Sequence, residues 1–300
     1  MYSIGIIGVG VLGKAIYETF KSIHTINLNC YDKYKTDYKI NNIYVKDINS
    51  LSHCDIIFLC LPTEYDSIKK EYNKNEIENV CNELALINYK GILLLKSTVE
   101  PKTTYNLSKL YPFLNIIHNP EFLSAKTAHE DFKNQSHIVL GISHYKYSDN
   151  NYENNYENSN DRSNSNYDIN KDITISYIKT FFNTYFKNIT ISICSSDESE
   201  SMKLFCNSFY ATKIQFFTEI KILCDTMNIE YNNVIKLMLN NGWINPMHTE
   251  IPGHDGQLSF GGSCLPKDIN ALGSLCNNMN SPNAVIQAVI NENHKMRHLL

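Results

Sequence analysis

The chain has 300 residues, enough to bury a large core and to form one to three domains. Its 27 Lys and Arg against 31 Asp and Glu give a net charge of −4, so neither a basic nucleic-acid footprint nor an acidic tail stands out. No apolar run approaches the length of a bilayer span, and no basic, then apolar, leader precedes the first strand. The nine cysteines are odd in number, scattered and without a Cys-x-x-Cys pair, which fits a reducing cytoplasm better than a disulfide framework or a zinc site. The expected setting is therefore cytoplasmic, with no membrane, nucleic acid or metal ion.

In chain order, short β-branched runs alternate with helix-like stretches over residues 1–141. The expected strands are Ser3–Ile7, Leu28–Tyr31, Asp55–Cys60, Ile92–Leu95, Asn115–His118 and Ile138–Leu140. Several are apolar on both faces, as where helices cover both sides of a parallel sheet. Residues 143–172 then turn Asn-, Ser- and Tyr-rich, with no aliphatic core former from Tyr147 to Asn160, and a disordered insertion is expected there. A helix (Ile173–Phe186) and a strand (Ile189–Ile193) return to the sheet. Ser195-Ser196-Asp197 offers N-caps, with Glu198 and Glu200 in the first turn of a helix running to about Met227. Two more helices follow, one after Asp268 and one from Asn283 to His298. The fold class is α/β: a Rossmann-type doubly wound parallel sheet over 1–194, then a mostly helical central domain over 195–300.

Gly8-Val9-Gly10-Val11-Leu12-Gly13 is Gly-x-Gly-x-x-Gly between a strand and a helix, the spacing of a tight turn that receives a pyrophosphate at a helix N-terminus. Asp32 ends the next strand, nineteen residues after Gly13. An acid there accepts a hydrogen bond from a ribose hydroxyl and repels a 2′-phosphate, which favours NAD; Lys33 and Lys35 weaken that preference slightly. Leu61-Pro62-Thr63 and Lys96-Ser97-Thr98-Val99 lie at strand C-termini, where open parallel sheets bind ligands, although either also reads as an ordinary strand exit. Glu121, in Asn119-Pro120-Glu121-Phe122-Leu123, is either a general base toward water or an exposed loop acid. Lys203 and Asn207, one helical turn apart, suit an oxyanion; the alternative is a solvated helix face. Cys264 stands in Gly-Gly-Ser-Cys-Leu-Pro-Lys-Asp, away from any apolar periodic run, with Lys267 near enough to favour a thiolate; the other eight cysteines read as inert.

Taken in order, Gly-x-Gly-x-x-Gly, Leu-Pro-Thr, Ser-Thr-Val, Asn-Pro-Glu-Phe-Leu, Lys203/Asn207 and Gly-Gly-Ser-Cys-x-x-Lys-Asp resemble the UDP-glucose/GDP-mannose dehydrogenase family, most closely its UDP-glucose 6-dehydrogenase branch. The resemblance implies NAD-dependent oxidation of the C6 alcohol of a nucleotide sugar, UDP-glucose first among them, to a carboxylate. It implies Cys264 as the nucleophile that captures the C6 aldehyde, and Lys203 and Asn207 as oxyanion stabilisers. Asp268 with Thr98 would hold the hydrolytic water, and Glu121 would be acid/base. Phe122, Leu123 and Gly261 would add to the sugar site, and Thr63, Thr98 and Lys267 to the cofactor site. A homodimer on the long helix is also implied.

Three departures from the family pattern stand out. Family members usually continue into a further α/β domain, which is expected to be absent here or supplied by a separate chain. Glu100-Pro101-Lys102 replaces the usual Pro-Pro-Gly, and Trp243 stands near the usual place of an arginine. Competing readings are another UDP- or GDP-sugar 6-dehydrogenase, a thiol-independent β-hydroxyacid dehydrogenase, and a non-catalytic NAD-binding homologue.

Overall fold

A computed structural model describes residues 1–34, 44–45, 47–143 and 164–298. By its internal contacts the chain groups into two units, Met1–Thr63 with Lys74–Glu200, and Glu64–Asn73 with Ser201–Leu300.

The first unit holds β1 (Tyr2–Ile7), α1 (Val11–Phe20), β2 (Ile26–Tyr31) and β3 (Ile56–Leu59). After an excursion, β4 (Tyr65–Asp66) and β5 (Glu71–Tyr72), it resumes with α2 (Asn75–Leu86), β6 (Ile92–Leu95), α3 (Thr103–Leu110) and β7 (Asn115–His118). It closes with α4 (Ala128–Lys133), β8 (His137–Ile142), α5 (Asn164–Tyr185) and β9 (Thr190–Ser195). Seven strands form one sheet in the order β2-β1-β3-β6-β7-β8-β9. Sequence order reverses beside β1, with β2 on one side and β3 on the other, which makes a switch point at the C-terminal ends of β1 and β3.

The sheet is mostly parallel rather than wholly so, because β8 runs antiparallel to β7. The link between them carries the six-residue α4. β9 then pairs parallel with β8.

Alternation along the central strands builds two cores. Ile56, Phe58 and Leu94 face one, Ile57, Leu59, Leu93 and Leu95 the other. α5 supplies Ile178, Phe181 and Phe182 to the first, the i, i+3, i+4 spacing of a buried helix stripe. Phe20 meets Phe58, Phe132, Phe181 and Phe186 there, and burying each ring contributes about 1.5–3 kcal/mol. α5 begins at Asn164, inside the stretch expected to be disordered; residues 144–163 of that stretch lie outside the described residues.

The second unit contains the β4–β5 hairpin, most of α6 (Ser196–Thr226), α7 (Tyr231–Asn240), α8 (Leu265–Asn278) and α9 (Ala284–His298). Of the candidate caps, Ser195 is the one used at the start of α6. Its hydroxyl accepts from the Glu198 N–H at 3.2 Å, and Glu198 accepts from the Ser195 N–H at 2.8 Å, a reciprocal capping box. Glu200 does not serve the α6 dipole at the surface; it is fully buried. Tyr72, Leu204, Ala271 and Leu272 form one small core of the second unit, and Ala211, Phe260, Ile269, Val289 and Ile290 another.

Candidate active site

The glycine fingerprint forms a cradle in the first unit. Gly8 has φ +87°, and a Cβ there would run into the Cys60 carbonyl at the end of β3. A Cβ on Gly13 would strike the Gly8 carbonyl, so α1 can approach β1 this closely only without one. Gly10, by contrast, has nothing within 4 Å of where its Cβ would lie, which leaves open space at the start of α1. Val9 is buried, Val11 exposed, and Leu12 packs on the core, so the turn presents its backbone outward. Asp32 follows β2 and accepts from the Val9 N–H at 2.7 Å through Oδ2, and from the Tyr34 N–H at 3.0 Å through Oδ1. Asp32 thus fixes the turn to the end of β2. These residues fit a dinucleotide.

The two strand exits are bonded to each other. The Thr63 hydroxyl donates to the Thr98 carbonyl at 2.6 Å, and the Ser97 hydroxyl donates to the Leu61 carbonyl at 2.7 Å. Thr63, Ser97 and Thr98 are all buried. Lys96, which sequence reasoning passed over, is buried as well, and its ammonium donates to Asn119 Oδ1 at 3.0 Å and to the Pro120 carbonyl at 3.4 Å. The Asn119 amide in turn donates to the Val139 carbonyl at 2.8 Å. The segment leading into Glu121 is thus held by a buried cation. Its only sequence signal is a lysine closing the apolar run Ile92-Leu93-Leu94-Leu95. Glu121 is half-buried, Phe122 stacks on His137 with centroids 6.3 Å apart, and Leu123 packs against the core.

Glu100-Pro101-Lys102 leads into α3. Glu100 pairs with Lys74 at 2.9 Å, and Lys102 caps α3 in the left-handed region at φ +77°. Glu200 reaches the same helix start, accepting from the Thr104 N–H at 2.7 Å and its hydroxyl at 2.6 Å. Burial pushes the Glu200 carboxyl up to about 7.

In the second unit Asp268 is the centre. It is fully buried in the first turn of α8, and its carboxylate accepts from the Tyr72 hydroxyl at 2.5 Å, the Asn207 amide at 2.6 Å and the Lys267 ammonium at 2.6 Å. Lys203 and Asn207 are buried on α6, not on a solvated face. Lys267, expected beside Cys264, has its ammonium on Asp268 and 4.5 Å from the centroid of the Tyr72 ring. Cys264 caps α8 with its carbonyl accepting from the Asp268 N–H at 3.0 Å, and Pro266 occupies the first turn, where a missing N–H costs nothing. All nine cysteines are free, and Cys264 is the exposed one. Burial raises the thiols of Cys30 and Cys81 to about 12 and those of Cys54 and Cys194 to about 11, and that of Cys60 higher still. Gly261 lies against the Arg297 guanidinium, which is paired with Asp255. Trp243 is almost fully exposed.

The structure therefore brings Asn207, Lys267 and Asp268 together, and separately Thr63 with Thr98 and the Gly8–Gly13 turn with Asp32. Tyr72 was missed because a tyrosine in a two-residue strand leaves no periodic signal.

Comparison with known proteins agrees with this layout. The NAD-binding-domain model of the UDP-glucose/GDP-mannose dehydrogenase family matches residues 30–159, and the central-domain model of the same family matches residues 197–295. A UDP-glucose 6-dehydrogenase of Campylobacter jejuni is 27% identical over 311 residues, covering 96% of this chain and 71% of that protein. The Rickettsia felis UDP-glucose 6-dehydrogenase is 29% identical over 268 residues, and this chain covers 50% of it. The chain thus spans about half the length of its Rickettsia relatives. In fold it is similar to a UDP-glucose dehydrogenase of Pyrobaculum islandicum, with TM-score 0.77 at 19% identity over 98% of this chain and 68% of that one. It is also similar to a Mycobacterium tuberculosis 3-hydroxyisobutyrate dehydrogenase, with TM-score 0.68 at 11% identity over 97% and 92%. With a glycine cradle shaped for a dinucleotide in one unit and two successive domains of one family matched along its length, the chain belongs to the UDP-glucose/GDP-mannose dehydrogenase family and uses NAD.

Proposed function

We propose that the chain oxidises the C6 alcohol of a nucleotide sugar, UDP-glucose first among them, to the carboxylate through a covalent adduct on Cys264. The observation that carries this reading is the contrast at Cys264: an exposed thiol one helical turn from a fully buried Asp268 that gathers three donors. NAD, held by Gly8–Gly13 and Asp32, supplies hydride acceptance at each of the two oxidations.

The chain's own residues do the remaining work. The first oxidation, with the hydride accepted and the hydroxyl proton released to water, leaves an aldehyde whose carbon the Cys264 sulfur attacks; the thiol proton passes to the carbonyl oxygen and a thiohemiacetal forms. Lys203 and Asn207 stabilise the oxygen that carries the developing charge. Loss of a second hydride and the hydroxyl proton leaves a thioester. Water then attacks the thioester carbonyl, Glu121 taking its proton, and the carbon–sulfur bond breaks to release the carboxylate and restore the thiol. The covalent link keeps the aldehyde from escaping between oxidations. Asp268, buried under its three donors, we assign to holding Asn207 and the first turn of α8. Thr98 helps place the water, and Phe122, Leu123 and Gly261 line the sugar. Thr63 and Lys267 complete the cofactor and nucleophile surroundings.

A second copy of the chain is the expected partner. Phe205, Phe209, Phe216 and Leu223 are exposed along α6 at spacings of 4, 7 and 7 residues, with Met227 exposed just past its end, a seam suited to another helix. Among the described residues no helix is long and apolar enough to cross a membrane, and we place the activity in the cytoplasm.

The test is purified protein with UDP-glucose and NAD. Two NADH per uronate formed is the expected result, and Cys264→Ser is expected to abolish acid formation. The fold shared with the 3-hydroxyisobutyrate dehydrogenase favours a second reading, one-step oxidation of a β-hydroxy acid. That chemistry needs no thiol, so it survives Cys264→Ser.

A further inference from the structure

We infer that Tyr72 is a positioning residue for the Cys264 centre, delivered from the β4–β5 hairpin to hold Asp268. This rests on the reading of Cys264 as nucleophile and extends it to a residue that no motif contains.

The hairpin interrupts the first unit in sequence, yet residues 64–73 group with the second. It grips α8 at two places. The Tyr65 hydroxyl lies 2.6 Å from Ser274 Oγ, and the Tyr72 hydroxyl donates to Asp268 Oδ1 at 2.5 Å. The Tyr72 ring is fully buried against Leu204, Ala271 and Leu272, and Leu204 lies between Lys203 and Asn207 on α6. The same ring carries the Lys267 ammonium on its face.

Packing alone does not call for this arrangement. A buried carboxylate is costly unless paired and hydrogen-bonded, and apolar side chains of like volume would hold the helices as well. What three donors on one carboxylate achieve is orientation. Asn207 is turned by its bond to Oδ2, Lys267 is drawn onto Oδ1, and the turn that begins at Cys264 is pinned through the Asp268 backbone. The Tyr72 hydroxyl is thus one of three donors that fix where the carboxylate stands, and with it Asn207 and the start of α8.

The experiment uses the full chain with Tyr72→Phe, which keeps the ring, and Asp268→Asn, which removes the charge. Iodoacetamide alkylation of the Cys264 peptide is followed by mass spectrometry at one fixed pH, a readout that needs no turnover. Both variants are expected to raise the alkylation rate of Cys264 about threefold or more, because the turn that begins at Cys264 loses part of its anchor. In turnover, Tyr72→Phe is expected to lower kcat about 10-fold or more, the loss of a hydrogen bond to a charged group, with KM for NAD within about twofold. A Cys264 alkylation rate in Tyr72→Phe equal to the native one overturns the inference and leaves Tyr72 as packing. If the native protein makes no NADH from any nucleotide sugar, the sugar-oxidation reading fails by itself, and the alkylation rates still decide the part played by Tyr72.

Discussion

The Thr63 hydroxyl and the Thr98 carbonyl meet at 2.6 Å, so the exits of β3 and β6 are fastened to one another where ligands bind in such sheets. Thr63→Val keeps the shape and leaves the buried carbonyl without its donor. Denaturant unfolding is expected to show a loss of about 1–3 kcal/mol, with Thr63→Ser close to native.

The fingerprint glycines separate into two packed against backbone, Gly8 and Gly13, and one, Gly10, that faces open space. Gly13→Ala drives a methyl into the Gly8 carbonyl and is expected to lower the melting temperature of the free protein. Gly10→Ala meets no protein atom and is expected to leave that temperature unchanged while weakening NAD binding about 10-fold or more, because the methyl fills the approach of the pyrophosphate. Calorimetry with and without NAD distinguishes the two.

Glu200 makes a pH-dependent prediction. Burial raises its carboxyl from its ordinary 4.5 to about 7, so the folded state binds a proton more readily than the unfolded chain. This group's stabilising contribution is fully present below about pH 4.5 and is lost as pH rises through about 7. Between pH 5 and 8 the native protein is expected to lose stability relative to Glu200→Gln by roughly 3 kcal/mol, read from paired unfolding curves. Parallel curves would mean that Glu200 does not titrate there.

Lys102 caps α3 at φ +77°, where a side chain costs about 1–2 kcal/mol that glycine avoids. Lys102→Gly is expected to stabilise by roughly 0.5–1 kcal/mol after the entropy of the freer unfolded chain is subtracted. It also restores the glycine of the family's Pro-Pro-Gly. An unchanged or lower midpoint in urea contradicts this.

Much of the first unit was legible because its signals are local. Ile92–Leu95 and Asn115–His118 were placed with their observed ends, since apolar runs between turn residues leave little freedom. The Gly8–Gly13 turn was legible for the same reason, whereas the start of α6 was narrowed only to three candidate caps, of which the reciprocal bonds with Glu198 select Ser195. The antiparallel β8 was not, because the strand's own residues are the same whichever way it runs. α7 went unread among helical stretches. The Asp268 cluster was half legible. Lys267 and Asp268 are neighbours in the motif, and Lys203 and Asn207 share a helix face, but no spacing predicts that the Asn207 amide and the Tyr72 hydroxyl converge on one carboxylate. Lys96 was hidden for a different reason, since a lysine at a strand end ordinarily reaches water.

The hairpin at residues 64–73 constrains how this molecule is made and divided. Its tyrosines leave the ribosome early, about two hundred residues before the helix they grip, and Tyr72 and Asp268 stand 196 positions apart. Such a long-range closure is slow to form and stays unsatisfied until synthesis nears α8. Cutting the gene at the linear border near 194 would therefore release a carboxyl-terminal half whose Leu204, Ala271 and Leu272 have lost their aromatic cover and whose buried acid has lost a donor.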